Sequence, residues 1–318
     1  MLERRWMWPA LLLLAGCPAP AETDTDTAPP VETDVDTDTD APEPVVFANL
    51  SIETSDTLYA VTVDGTTTLV AGSADGLWRF DGDVRTALNS DAGTDVDWYG
   101  LWGSGGSALA VGTSGAVLSF DTGSPTAFED LGTALFQDVD GRGGRVTAVG
   151  WGGVYDWTGD AWVFANLPGT YRLTGVRIGD SVDWAVGEGG TILTRDSGAW
   201  SAVESPTTED LHAISGSSDS DVWAVGEDGL VLHYDGSAWA DVSSGTDLTL
   251  WGVWVASNGK AFVVGNNGTV LVGDASTGFA QLNTGIDANL YAVSGTSADD
   301  VWAVGNRGAV LRYSGAAP

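Results

Sequence analysis

Cysteine is nearly absent: Cys17 is the only one in 318 residues, so no intramolecular disulfide can form and no cysteine cluster can hold zinc or iron. Basic residues are also scarce, with 12 Lys and Arg against 44 Asp and Glu. The net charge of −32 excludes ordinary electrostatic binding to nucleic acid or to an anionic membrane surface, and it leaves neutral or cationic partners. The two histidines, His212 and His233, cannot form a three-imidazole metal site. The apolar run that ends at Leu14-Ala15-Gly16 is too short to span a bilayer as a mature helix. Helix signals are scarce beyond it. What is plentiful is glycine, at 44, and tryptophan, at 15, in a chain that is 43% hydrophobic. That combination calls for a folded core with many tight turns and repeated aromatic packing positions.

The chain begins "MLERRWMWPALLLLAGCPAP", with Arg4 and Arg5 ahead of the apolar run and Leu14-Ala15-Gly16-Cys17 behind it. These four residues resemble the lipobox of bacterial lipoproteins. The resemblance implies lipid on the Cys17 thiol, cleavage before it and acylation of the new N-terminus, so residues 1–16 are expected to be a signal peptide. Pro18 follows where an aspartate would favour inner-membrane retention, and an outer-membrane address is expected. Residues 17–44 read as a tether, because the segment "AETDTDTAPPVETDVDTDTDAPEPV" holds nine acids, no base and no aromatic. Extended, residues 18–45 would reach on the order of 90 Å. The expected location is the bacterial cell envelope, periplasmic or surface-exposed, with the membrane touched only through the lipid.

From residue 45 onward the sequence repeats. "DVWAVG" occurs at Asp221–Gly226 and again at Asp300–Gly305, and looser copies place the final glycine at Gly72, Gly112, Gly150, Gly187 and Gly265. Successive glycines are 40, 38, 37, 39, 39 and 40 residues apart. Some fifteen residues before each glycine stands a period-two hexamer: "LYAVTV", "WYGLWG", "FQDVDG", "LTGVRI", "LHAISG", "LWGVWV" and "LYAVSG", starting at Leu58, Trp98, Phe136, Leu173, Leu211, Leu250 and Leu290. The fifth copy reads as four strands, "LHAISG", "DVWAVG", "LVLHYDG" and "AWADVS". The turn Gly226-Glu227-Asp228-Gly229 joins the second to the third, its glycines expected at positive φ. A four-stranded sheet apolar on both faces must stack on copies of itself, and seven such units of about forty residues predict an all-β, seven-bladed β-propeller of antiparallel blades over residues 45–318. The seventh copy stops at "VLRYSGAAP" without a fourth strand, while "PVVFANLSIETSDTLYAV" at the start echoes "AWVFANLPGTYRLTGV" of the third. Val45 to Leu50 is therefore expected to pair with Val310 to Tyr313, closing a monomeric ring and removing the exposed edge that an open sheet would present.

The pattern D-V-W-A-V-G-x-x-G-x-(V/I)-L-x-Y-D-G-x-x-W resembles the sialidase-type (BNR-like) and photosystem II assembly-factor-like repeats of bacterial envelope propellers. "RDSGAW" and "YDGSAW" echo the aspartate box of that group. The resemblance implies sialidase chemistry only where an arginine triad, a tyrosine nucleophile and an acid converge, and the ten bases of the propeller lie scattered along the chain. The assembly-factor relatives are associated with a basic patch, from which this acidic chain departs. A non-catalytic binding or scaffolding module for an envelope protein or glycan is the expected function. A glycan-active hydrolase or lyase and a calcium-dependent adhesin are the alternatives.

Propellers usually bind at one mouth of the central channel. Here the loops between blades carry Asp95 and Asp97, Glu129 and Asp130, Glu209 and Asp210, Asp247 and Asp287. The second residues of five of the hexamers are Tyr59, Tyr99, His212, Trp251 and Tyr291. An aromatic collar under a ring of carboxylates would suit a sugar, a cation or a basic peptide. No cofactor is expected. The acidic runs Ser217–Asp221 and Ser297–Asp300 offer calcium ligands but lack the longer ladder of a calcium loop.

Overall fold

The computed structural model describes residues 47–88, 90, 96–132, 134–196 and 198–315. Cys17, the tether, Val45, Val46 and Asp95 lie outside the described residues. The described strands form seven four-stranded antiparallel sheets. Blades 1 to 6 span residues 58–87, 98–130, 136–165, 173–202, 211–241 and 250–281, and blade 7 joins residues 290–313 to 47–49. Each of the seven predicted hexamers opens an innermost strand. Seven buried apolar clusters hold the ring, and each is shared by two neighbouring blades. A blade's sheet thus buries both faces, one against each neighbour.

Ring closure follows the sequence. Phe47, Ala48 and Asn49 pair with Tyr313, Arg312 and Leu311, and the Leu50 and Ile52 N–H groups continue the contact by donating to the carbonyls of Val310 and Gly308, both at 2.8 Å. The echoed Phe-Ala-Asn of blade 3 does not occupy the same register. Phe47 faces Tyr313, which faces Val301, whereas the corresponding place in blade 3 belongs to Trp162, which faces Trp157 and through it Val146. Phe164 lies two residues further, opposite Tyr155. The link from Asn166 to Leu173 is two residues shorter than that from Asn49 to Leu58, and a two-residue slip absorbs the difference while keeping the in–out alternation. Phe47 is therefore 7% exposed and Phe164 55%.

The glycine that marks the repeat serves a purpose other than the turn conformation expected of it. Gly226 has φ −163°, an extended value; the left-handed residues of that turn are Asp228 at 51° and Gly229 at 70°. A Cβ on Gly226 would fall on the carbonyl oxygen of Asp210. That carbonyl accepts a hydrogen bond from the N–H of the next residue, Glu227, at 3.1 Å. The arrangement recurs in all seven blades: Ser73, Thr113, Trp151, Glu188, Asn266 and Asn306 donate to the carbonyls of Thr57, Asp97, Leu135, Arg172, Thr249 and Asn289. Lacking a side chain, the glycine lets the inter-blade linker dock on the second strand.

Candidate functional site

A β-bulge opens every innermost strand. Pairing with the second strand skips one residue each time, and the skipped residues are Tyr59, Tyr99, Gln137, Thr174, His212, Trp251 and Tyr291. A bulged residue is freed from the ladder and its side chain re-aimed. All seven line one central channel of about 590 Å³. Because the innermost strands all start at the same end of the ring, the bulges deliver their side chains to one mouth.

Five of those side chains form a continuous run. Ring centroids lie 4.9 Å apart for Tyr99 and Tyr59, 5.9 Å for Tyr59 and Tyr291, 5.7 Å for Tyr291 and Trp251, and 4.2 Å for the stacked pair Trp251 and His212. The order runs through blades 2, 1, 7, 6 and 5. Gln137 and Thr174 interrupt it at blades 3 and 4, where the Thr174 hydroxyl is tied back to the Leu211 carbonyl at 2.6 Å. The Trp251 indole is fixed by donating to Asn266 Oδ1 at 2.8 Å. Burial, with the Asp97 carboxylate close by, raises the hydroxyl pKa of both Tyr59 and Tyr99. Burial lowers the pKa of His212 against the opposing pull of Asp210, and its Nε2 has no hydrogen-bond partner.

The predicted carboxylates do not close a ring over this run. Asp97 accepts the Ala74 N–H at 2.9 Å and Asp210 the Gly189 N–H at 2.6 Å, so both brace neighbouring blades while standing beside collar residues. Asp287 is exposed and pairs with Arg307 at 3.1 Å. Glu129 and Asp130 end the outermost strand of blade 2, away from the channel, and Asp130 accepts the Gly132 N–H at 2.8 Å. Glu209 and Asp247 are exposed on their loops. None of these carboxylates lines the channel.

Two carboxylates that do line it escaped the sequence reading. Asp138 accepts the N–H groups of Val139 and Val176, each at 2.9 Å, and Asp140 accepts that of Ile178 at 2.6 Å. Both therefore bridge blade 3 to blade 4. Burial pushes Asp138 up to about 7, further raised by Asp140, against the two N–H donors. Burial pushes Asp140 up to about 6, with its N–H donors, Arg177 and Arg142 opposing. A signal for Asp138 was present in the aligned hexamers: the third residue is Ala60, Gly100, Gly175, Ala213, Gly252 or Ala292 in the other six.

No family model matches the chain, and no curated protein matches it. Solved structures do. "YCF48 bound to D1 peptide" superposes with a TM-score of 0.70 at 18% identity, covering 85% of this chain and 97% of that one. YCF48 from Cyanidioschyzon merolae gives 0.68 at 14% identity over 85% and 98%, and the WD40 β-propeller domain of Doa1 gives 0.71 at 14% over 83% and 94%. The likeness is one of fold.

In this propeller the bases are largely consumed by ion pairs. From Phe47 onward there are 34 acids and ten bases. Eight of the ten pair with a carboxylate: Arg79, Arg142, Arg145, Arg172, Arg177, Arg195, Arg307 and Arg312. Four of them, scattered in sequence, gather at blades 3 and 4. There the buried Asp183 receives Arg145 at 2.8 Å and Arg195 at 3.0 Å, while Arg195 also reaches Asp156 at 2.7 Å. Asp183 and Arg195 face each other where blade 5 has Val222 and Tyr234.

The acidic runs considered for calcium are occupied by protein donors. Asp219 accepts the N–H groups of Asp180 and Ser181, and Asp221 accepts the Trp223 indole and the Ser217 hydroxyl with His233 Nε2 2.9 Å away. Asp300 accepts Thr296 and Arg312. Among the described residues no group of three His, Cys, Asp or Glu is placed to hold a metal ion.

Proposed function

We propose that the chain is a lipid-anchored protein of the cell envelope whose propeller is a non-catalytic binding platform, engaged by a protein partner at the mouth bearing the aromatic run. The observation that carries the reading is that five separate bulges deliver five aromatic side chains to one opening. Conformationally stiff aromatic rings around an accessible channel supply contact area at low entropic cost, as in protein recognition sites. One structural neighbour is itself a propeller with a peptide bound. The Cys17 lipid and the acidic tether would let the platform reach partners away from the bilayer surface.

Stacking on aromatic rings would also serve a glycan. Hydrolysis of one is disfavoured by the geometry of the channel carboxylates. Paired-carboxylate chemistry needs two groups flanking one bond. Asp138 and Asp140 instead stand two residues apart on one strand, each engaged by backbone N–H donors of the next blade. The test is to immobilise the chain, pass envelope extract over it with calcium or with chelator, and repeat with Trp251→Ala. A stoichiometric protein retained in both conditions and lost with the variant is the expected result. Retained glycan that is shortened on the column, or retention only with calcium, would replace the platform reading with the hydrolase or the adhesin.

A further inference from the structure

Resting on the platform reading, we infer that the channel mouth receives one cationic side chain of its partner, an ammonium or a guanidinium, in the gap between the aromatic run and Asp138. The faces of tyrosine and tryptophan carry negative quadrupolar potential and attract cations within about 6 Å of the ring centroid. Four such rings stand in sequence here, from Tyr99 through Tyr59 and Tyr291 to Trp251. The Asp97 carboxylate beside the Tyr59 and Tyr99 hydroxyls deepens that potential.

Among the described residues, the bases at this end of the ring, Arg172 and Arg307, do not line the channel, and each faces a carboxylate, Glu188 and Asp287. The channel-lining arginines are Arg142 and Arg177, toward the far end of their strands, and each already faces a carboxylate, Asp180 and Asp219. His212 is pressed toward its neutral form by burial. An anionic ligand would therefore meet no unpaired base among the described residues that line the channel. A neutral sugar would need several directed hydrogen-bonding groups around its ring, and two of the collar's, the Trp251 N–H and the Thr174 hydroxyl, are already spent within the protein.

The shape of the mouth agrees with its charge. The run covers five blades and leaves blades 3 and 4 with the smaller, polar Gln137 and Thr174. Asp138 follows Gln137 directly and lines the channel beneath that gap. A long basic side chain entering there would have ring faces along its stem and, above about pH 7, the ionised Asp138 at its charged end. That is the same division of labour by which lysine and arginine rest apolar stems on apolar surface.

The probe is tetralysine, compared with its Nζ-acetylated form and with maltotetraose, added to the full chain while the Trp251 indole N–H resonance is followed by NMR. Tetralysine should shift that resonance saturably and bind at least tenfold more tightly than the acetylated peptide. Tyr291→Leu and, on a different strand and nearly isosteric, Asp138→Asn should each weaken it tenfold or more. Equal binding of the acetylated peptide, binding of maltotetraose alone, or tetralysine binding untouched by both variants would overturn the inference. The two readings fail separately. If Trp251→Ala abolishes partner capture while tetralysine has no effect, the platform stands and the cationic occupant falls; if capture survives Trp251→Ala, the platform itself falls.

Discussion

Seven glycines carry the repeat because each leaves room for a carbonyl oxygen where a Cβ would otherwise be. Gly226→Ala should therefore force the Asp210 linker off the second strand and cost more than about 2 kcal/mol, whereas Gly198→Ala, with open space around it, should change stability by less than about 0.5 kcal/mol. Thermal melts of the two variants check this. The position of these glycines was plain in the sequence, but the reason was not, since the carbonyl that needs the space belongs to a linker some fifteen residues earlier. Asp138 offers a second test. Its carboxyl is raised to about 7 in the fold by burial and by Asp140, itself near Arg177 and Arg142, from 3.8 in the unfolded chain. The folded state thus holds a proton that the unfolded chain has released. The associated stability is complete below about pH 4 and is lost as the pH rises through about 7. Asp138→Asn, which keeps an acceptor for the Val176 N–H, should flatten the fall in melting temperature between pH 5 and pH 8. An unchanged pH profile would contradict the assignment.

Strands, hairpins and the closing segment were legible because they follow from period-two alternation and a fixed spacing of glycine. The bulges were not. An alternation pattern shows which side of a strand a residue faces but not that one residue per strand drops out of pairing, and that single step sends Tyr59 or Trp251 into the channel. Register was similarly hidden: the repeated Phe-Ala-Asn predicts equivalent strands, yet the shorter link after Asn166 moves the blade 3 copy by two residues. The loop acids were expected to form a ring over the collar, but N–H groups in the turns of the preceding blades compete for their lone pairs, and Asp97 and Asp210 accept from Ala74 and Gly189 instead. Two tests belong to this scale. Deleting Phe47 to Asn49 should remove the fourth strand of blade 7 and lower the melting temperature, and an unaltered melt would refute the closure. Asp183→Ala should cost about 1–3 kcal/mol, because Arg145 and Arg195 lose their shared carboxylate while the Gly179 carbonyl and Asp156 remain to them. Adding Arg195→Tyr to Asp183→Val, the pair found in blade 5, should recover most of that loss in chemical denaturation.

Across the whole ring, apolar packing between blades and a negative surface divide the work of stability and recognition. The clusters between blades are apolar in kind, with a polar graft of arginines and aspartates at blades 3 and 4, and few bases are left unpaired to attract an anion. The two ends of the channel differ: one has the bulged aromatic run and its gap, the other the hairpins of the first two strands, where Arg142 and Arg177 pair with Asp180 and Asp219. A partner that uses the platform should touch the first end and not the second. The direct measurement is site-specific photo-cross-linking in envelope extract from a benzoylphenylalanine placed at Gln137, in the gap, or at Ser220, in the exposed hairpin between the first two strands of blade 5. The account predicts a discrete protein adduct from position 137 and none from position 220. An adduct from 220 alone, or equal adducts from both, would contradict it.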